Sequence, residues 1–229
     1  MRRACVTVPL SLMRQASVDW DIDWGGQAAG ETLTAVSQVV VNGFPRFVGA
    51  PSLVFGRALH GLWRAHRWAA QGQAGLFRVP MYDPAILNIS ELSALSGAMA
   101  SGTTFSNGET FSTGAGWAYW PQLSVVTGGG PGRARIRVSV PASYLLPKTG
   151  QIMSHDDWPF GVTGVTDNGD GTAWLTVERL AKSVATGDLV NVIGIGRFEL
   201  TDGMSGRAAY GPDGVIKPKL ALREVLNRG

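Results

Sequence analysis

Three histidines, a scatter of carboxylates and a single cysteine are the residues with which this chain would do acid/base, metal or nucleophilic chemistry. His60 and His66 are six apart, a spacing that does not bring two imidazoles onto one face of a helix, so no metal pair follows from them. His155-Asp156-Asp157 is chemically tempting, but adjacent residues in a turn ahead of Trp158-Pro159 point apart, and no second convergent set accompanies them. Gly-x-Ser-x-Gly and His-Glu-x-x-His are both missing from the sequence, as is a Cys-His pair near a nucleophile. For hydrolysis of a cell-wall polymer the acids to test are Glu109, Asp156 and Asp157. Cys5 alone gives neither a disulfide framework nor a zinc-ligand set. The glycine run Gly128 to Gly132 has no P-loop lysine and no helix signal behind it. The expectation is a protein without catalytic residue, cofactor or metal.

Asp19, Asp21 and Asp23 alternate with Val18, Trp20, Ile22 and Trp24. That period of two is a strand with one apolar and one solvated face, and it spreads the carboxylates in a row instead of converging them on a calcium ion. Arg133, Arg135 and Arg137 share one face of another strand, where a neighbouring subunit, a phosphate backbone or water would meet them. The chain has 229 residues, a formal charge of +3 and a pI near 9.3, yet its basic residues are dispersed, so no nucleic-acid partner is expected. Charged residues make up only 16%, against about 25% in typical domains, while 45% are hydrophobic. Such a weakly charged exterior suits contact with other subunits. No stretch is long and apolar enough to span a membrane, and Met1 to Pro9 lacks the apolar region of a signal peptide, so synthesis and assembly in the cytoplasm are expected.

The elements read as mainly β: β-sandwich or barrel-like sheets with one prominent α-helix. Residues 1–89 form a β-rich N-terminal domain, with strand material at Cys5 to Met13, Ser17 to Trp24 and Leu33 to Val41. Its helix runs over about 53–71, with Leu59, Leu62, Trp63 and His66 at helical spacing and Arg57, Arg64 and Arg67 largely off the apolar stripe. A strand ending at Asp83-Pro84 follows. Residues 90–116 are rich in Ser, Thr, Gly and Ala, and read as a loop or an arm towards a neighbour, over Ser101 to Gly116. Residues 117–202 are a second β-rich region with strands at Trp117 to Val126 and Arg133 to Val140. Asp167-Asn168-Gly169-Asp170-Gly171 there marks a hairpin between Gly161 to Thr166 and Thr172 to Val177. The tail, 203–229, carries Leu220, Leu222, Val225 and Leu226 on a short helix or on a strand that docks on a neighbour.

Phe55-Gly56-Arg57 through Leu62-Trp63-Arg64, followed by Gln71-Gly72-Gln73-Ala74-Gly75-Leu76-Phe77-Arg78-Val79-Pro80-Met81-Tyr82-Asp83, resembles tail-tip proteins of long-tailed bacteriophages and related gene transfer agents. In the second half Tyr144 to Gln151, Gly161 to Val165 and Ile193 to Leu200 are similar to the order of presented segment, hairpin and framing strand in such proteins. The likeness spans about Trp20 to Leu200 and is greatest to the distal tail protein. It implies a structural virion protein of the tail tip or baseplate, in a ring, commonly six-fold, that joins the tail tube protein to the hub and tip proteins. Subunit contacts are expected at Arg57, Trp63, Arg64 and Arg67 on the helix and at Arg133, Arg135 and Arg137 on the strand. The alternatives are another tail component (hub, tube or terminator subunit) or a module of the tail tip that binds host surface glycan through some of the eight tryptophans.

Overall fold

The computed structural model describes residues 3–13, 16–31, 37–40, 43–88, 91, 120–141, 145–207 and 215–228. The expected arm, Ser101 to Gly116, lies outside them, as do Glu109, Trp117 and Tyr144. In chain order the elements are β1 (Cys5–Thr7), α1 (Leu10–Met13), β2 (Ala16–Ser17), β3 (Asp21–Asp23), β4 (Gln27–Glu31), β5 (Ser37–Val40), β6 (Arg46–Gly49), β7 (Ser52–Leu53), α2 (Arg57–Ala69) and β8 (Leu76–Pro80). There follow β9 (Gln122–Thr127), β10 (Gly132–Ser139), β11 (Ile152–His155), β12 (Trp158–Asp167), β13 (Thr172–Leu180) and β14 (Leu189–Asn191). The chain closes with β15 (Ile195–Leu200) and β16 (Leu222–Glu224). The fold is mainly β, as its alternating sequence leads one to expect.

The chain divides into two compact units, and the division is not sequential. One unit combines Met1–Pro80 with Gly196–Gly229, and the other is Met81–Ile195. The expected N-terminal domain and tail thus belong to one body.

The second unit is a closed six-stranded barrel in the order β10-β13-β12-β11-β14-β9. Its logic is period two. On β10, Ile136 and Val138 point into the barrel and Arg135 and Arg137, alternating with them, point out; on β13, Ala173, Leu175 and Val177 are buried while Trp174, Thr176 and Glu178 alternate outward. Phe160, Met153, Leu123 and Val190 complete the core. β12 and β13 pair antiparallel, with Asp167 opposite Ala173. In the turn between them the Asp167 carboxylate accepts from the amide of Gly169, which has φ +73°, a conformation glycine adopts without a Cβ penalty. The buried Ser154 hydroxyl accepts from Asn191 Nδ2 and from the Ile195 amide, both at 2.9 Å, so the polar groups at the β11–β14 seam are satisfied.

The first unit is built on an open six-stranded sheet, β1-β8-β15-β16-β6-β3. β1 runs parallel to β8, and β16 lies antiparallel between β15 and β6. The C-terminal hydrophobic run therefore forms an inner strand of its own chain's sheet instead of docking elsewhere. Glu224 on this strand is buried, accepts the Phe47 amide at 2.9 Å and pairs with Arg228 at 2.8 Å.

Two local expectations are corrected. Helix α2 starts at Arg57, not near 53, because Ser52 and Leu53 pair with β2 and Phe55 bridges to Ile216, leaving Gly56 extended as the N-cap. The row Val18 to Trp24 yields only the three-residue β3; Trp20 is half-buried against Phe198, with ring centroids 5.1 Å apart, but Trp24 is 47% exposed and is no part of the core. Cys5 sits exposed on β1.

Candidate functional site

Helix α2 is thirteen residues long, and Trp63 is its one buried side chain. Of the expected stripe Leu59 and His66 are half-buried beside it, whereas Leu62 is 38% exposed and Trp68, off the stripe, is 68% exposed. The helix is sunk deepest in the middle of this face. There the Trp63 ring packs beside Phe77 at 5.9 Å between centroids, and its indole N–H donates to the Gly206 carbonyl at 2.8 Å. A large aromatic with its polar atom satisfied is an anchor, since both its area and its hydrogen bond resist removal from the site.

Around the anchor the expected helix arginines take different roles. Arg57 and Arg64 are exposed, and the Arg64 guanidinium lies 4.9 Å from the centre of the Trp68 ring, in cation–π contact. Arg67 is half-buried and reaches the loop after β15, where it donates to the Gly203 carbonyl at 3.3 Å. Desolvation, and after it the like charge of Arg207, lowers the pKa of Arg67. The solvent side of α2 therefore presents Trp68 with Arg64 stacked on it, an apolar and cationic surface, while the exposed Leu62 lies on the other flank of the helix.

The strand arginines belong to the other unit and do not join this cluster. Arg133, Arg135 and Arg137 share the outer face of β10, and each is engaged across the strand pair with β13 or its turn. Arg133 Nε pairs with Glu178 at 3.0 Å, Arg135 lies 4.7 Å from the centre of the Trp174 ring, and Arg137 reaches Asp170 at 2.7 Å and Thr172 at 2.9 Å. Such cross-strand pairs stabilise a barrel face by fractions of a kcal/mol, roughly 0.2–1 each.

The acid-rich positions are tied up locally. Asp21 accepts its neighbour's amide, Asp23 accepts the Gly25 amide at 2.9 Å and pairs with Arg46 at 3.4 Å, and Asp19 accepts the Ala50 amide. Asp156 and Asp157 form the two-residue turn between β11 and β12, both with positive φ (+48° and +62°), the hairpin geometry in which both central residues are left-handed. Asp156 is exposed and within 3.7 Å of His155 and 3.9 Å of Lys182, whereas Asp157 is buried. His155 Nδ1 contacts the Leu189 carbonyl at 3.1 Å, and its Nε2 lies 3.5 Å from Asp188. Among the described residues no three His, Cys, Asp or Glu side chains gather into a group that would hold a metal, and no helix is long and apolar enough to cross a membrane.

Sequence reasoning missed the loop Asp202 to Arg207, which it divided between the end of the second β-rich region and the tail. The Asp202 carboxylate accepts the amides of Met204 and Ser205, both at 2.7 Å, and Gly206 with φ +72° turns its carbonyl onto Trp63. The signal was present as Asp202-Gly203 followed by Ser205-Gly206, a turn composition. What the sequence does not carry is that this turn lies against α2. No family model matches the chain, and no curated protein is detectably similar to it.

Proposed function

We propose that this protein is a non-catalytic structural subunit of the tail tip or baseplate of a tailed bacteriophage or gene transfer agent. In this reading it resides in the virion and assembles with copies of itself into a six-fold ring between tail tube protein and hub and tip proteins, as a distal tail protein does. The observation that carries the assembly role is on α2, where Trp68 is 68% exposed under the Arg64 guanidinium while Trp63 anchors the opposite side of the helix. A helix that leaves a tryptophan outside its own core beneath an arginine is suited to a partner, because aromatic and arginine side chains are the residues that dominate interface energetics. The viral assignment rests on the segment likeness at Phe55 to Asp83, Tyr144 to Gln151 and Ile193 to Leu200, together with the β-rich fold.

The test is the mass of the purified chain by light scattering over a concentration series, with negative-stain images of the same sample. A closed ring that Trp68→Ser disperses supports the reading. A strict monomer at every concentration, alone and with tail tube protein, refutes it. Exposed Trp24 and Trp68 favour a second reading, a glycan-binding surface, for which added saccharides should shift the tryptophan fluorescence of a monomeric protein.

A further inference from the structure

Six of the described arginines meet a carboxylate. Arg3 and Arg223 share Glu199, Arg46 meets Asp23, Arg133 meets Glu178, Arg137 meets Asp170 and Arg228 meets Glu224. Three others are gathered in one place without one. Between α2 and the loop after β15 is a cleft of about 230 Å³ lined by Arg64, Arg67, Arg207, His60, Trp63 and Trp68. None of its three guanidinium groups has a carboxylate within ion-pair distance among the described residues. Arg207 donates to the sulfur of Met204, a weak acceptor, and Arg64 is held over the Trp68 ring. Arg67 spends one N–H on Gly203, but its Nε is buried with no acceptor among the described residues.

Three fixed positive charges with a buried unused donor are costly for a folded chain to keep empty, because a desolvated donor without an acceptor loses its hydrogen bond to water and receives nothing in exchange. The like charge of Arg207 acting on Arg67 is a second expression of that imbalance, after burial itself. The same arrangement becomes favourable once an anion fills it.

We infer that this cleft binds a phosphoryl group, free or esterified to a small polyol or sugar. Arg64 and Arg67 stand at i and i+3 on the helix side of the cleft and Arg207 on its loop side, so both walls contribute guanidinium groups. A phosphoryl group offers three acceptor oxygens and a charge of about −1.5 to −2, which matches that array; a carboxylate has two oxygens in one plane and a single charge. The volume is several times the roughly 30 Å³ share of one water, leaving room beside the phosphoryl group, where the indoles of Trp63 and Trp68 line the wall. The inference stands whether or not the chain forms rings.

Titration calorimetry of the full chain at fixed ionic strength, with inorganic phosphate and with glycerol 3-phosphate, tests it. The expected result is saturable one-site binding that Arg64→Gln and Arg207→Gln each weaken by about tenfold or more. Both side chains are exposed, so both variants keep the fold, and Arg133→Gln on the barrel should bind as the wild type does. Tighter binding of glycerol 3-phosphate identifies an esterified ligand, and tighter binding of phosphate a free one. The inference is overturned by the absence of saturable heat with both probes, by wild-type affinity in Arg64→Gln or Arg207→Gln, by an equal loss in Arg133→Gln, or by acetate binding as tightly.

Discussion

Replacing Gly206 with alanine should destabilise the first unit far more than the loss of one glycine suggests, because three constraints converge on it. Its φ of +72° is a left-handed conformation, which costs an L-residue about 1 kcal/mol or more. An added Cβ would sit 2.7 Å from Trp63 Cζ2 and 2.7 Å from Leu220 Cδ2. The leucine methyl can move, but the indole is buried, packed beside Phe77 and hydrogen-bonded to the Gly206 carbonyl itself, so the overlap falls on a ring with nowhere to go. Overpacking of this kind costs about 1–3 kcal/mol, which with the backbone term gives about 2–4 kcal/mol. The assay is urea unfolding followed by far-UV circular dichroism, with Gly203→Ala as control: that glycine is in the same loop, and a Cβ there meets nothing within 4 Å. With a urea slope of about 1–3 kcal/mol per molar, Gly206→Ala should lower the midpoint of this unit by about 1 M or more, and Gly203→Ala should shift stability by no more than about 0.5 kcal/mol. Equal midpoints for the two variants would refute the anchoring role given to the Trp63–Gly206 contact.

Other consequences can be checked on the same material. Glu224→Gln keeps an acceptor for the Phe47 amide but leaves the Arg228 guanidinium buried without its counter-charge, and should cost about 3 kcal/mol in the same unfolding experiment. Burial pushes the Glu199 carboxyl up, but hydrogen bonds from Arg223 and Arg3 outweigh it and hold the group below its ordinary value of 4.5. Since a lowered carboxylate contributes stability that is complete above its unfolded pKa and lost as pH falls through its folded one, the unfolding midpoint should drop below about pH 4.5. Glu199→Gln should flatten that acid limb, and an unchanged slope rejects the pairing. Trp68→Ser, at a side chain 68% exposed, should leave the unfolding midpoint within about 0.5 kcal/mol of wild type while weakening self-association by about 2 kcal/mol, some 30-fold in Kd. Association that survives Trp68→Ser undiminished moves the contact off α2.

What was legible in the sequence is what short-range chemistry decides. The Asp167 to Gly171 turn and the alternation on β10 and β13 fix both a hairpin and which face is core, and the barrel realises both. The outward direction of Arg133, Arg135 and Arg137 was legible too, yet their partners Glu178, Trp174 and Asp170 follow from a register between strands some forty residues apart. Distance along the chain explains the misses. Helix α2 begins late because Ser52 and Phe55 are claimed by Lys219 and Ile216, more than 150 residues away, and helical spacing alone has no knowledge of that competition. Leu62 fits the apolar stripe and is still exposed, since a stripe specifies a face and not what covers it. Arg207 lies outside every periodic pattern; it becomes interesting only when Gly206 brings the loop onto Trp63.

The two units also differ in what they offer a neighbour. Every strand of the barrel has partners on both sides, so that unit has no edge to extend. The open sheet ends on β1 and β3, but both are three residues long, and β3 carries Asp21 and Asp23. Short, charged end strands are the means by which proteins discourage addition of a further strand, and three residues give too few main-chain hydrogen bonds to hold a subunit against the entropy of association. Strand addition at the ends of this sheet is therefore disfavoured, and on α2 the exposed Trp68 and the Arg64 stacked on it combine apolar area with charge. Their contact energy depends on the helix remaining seated by Trp63. A change at Gly206 should then weaken association and folding together, whereas a change at Trp68 should weaken association alone.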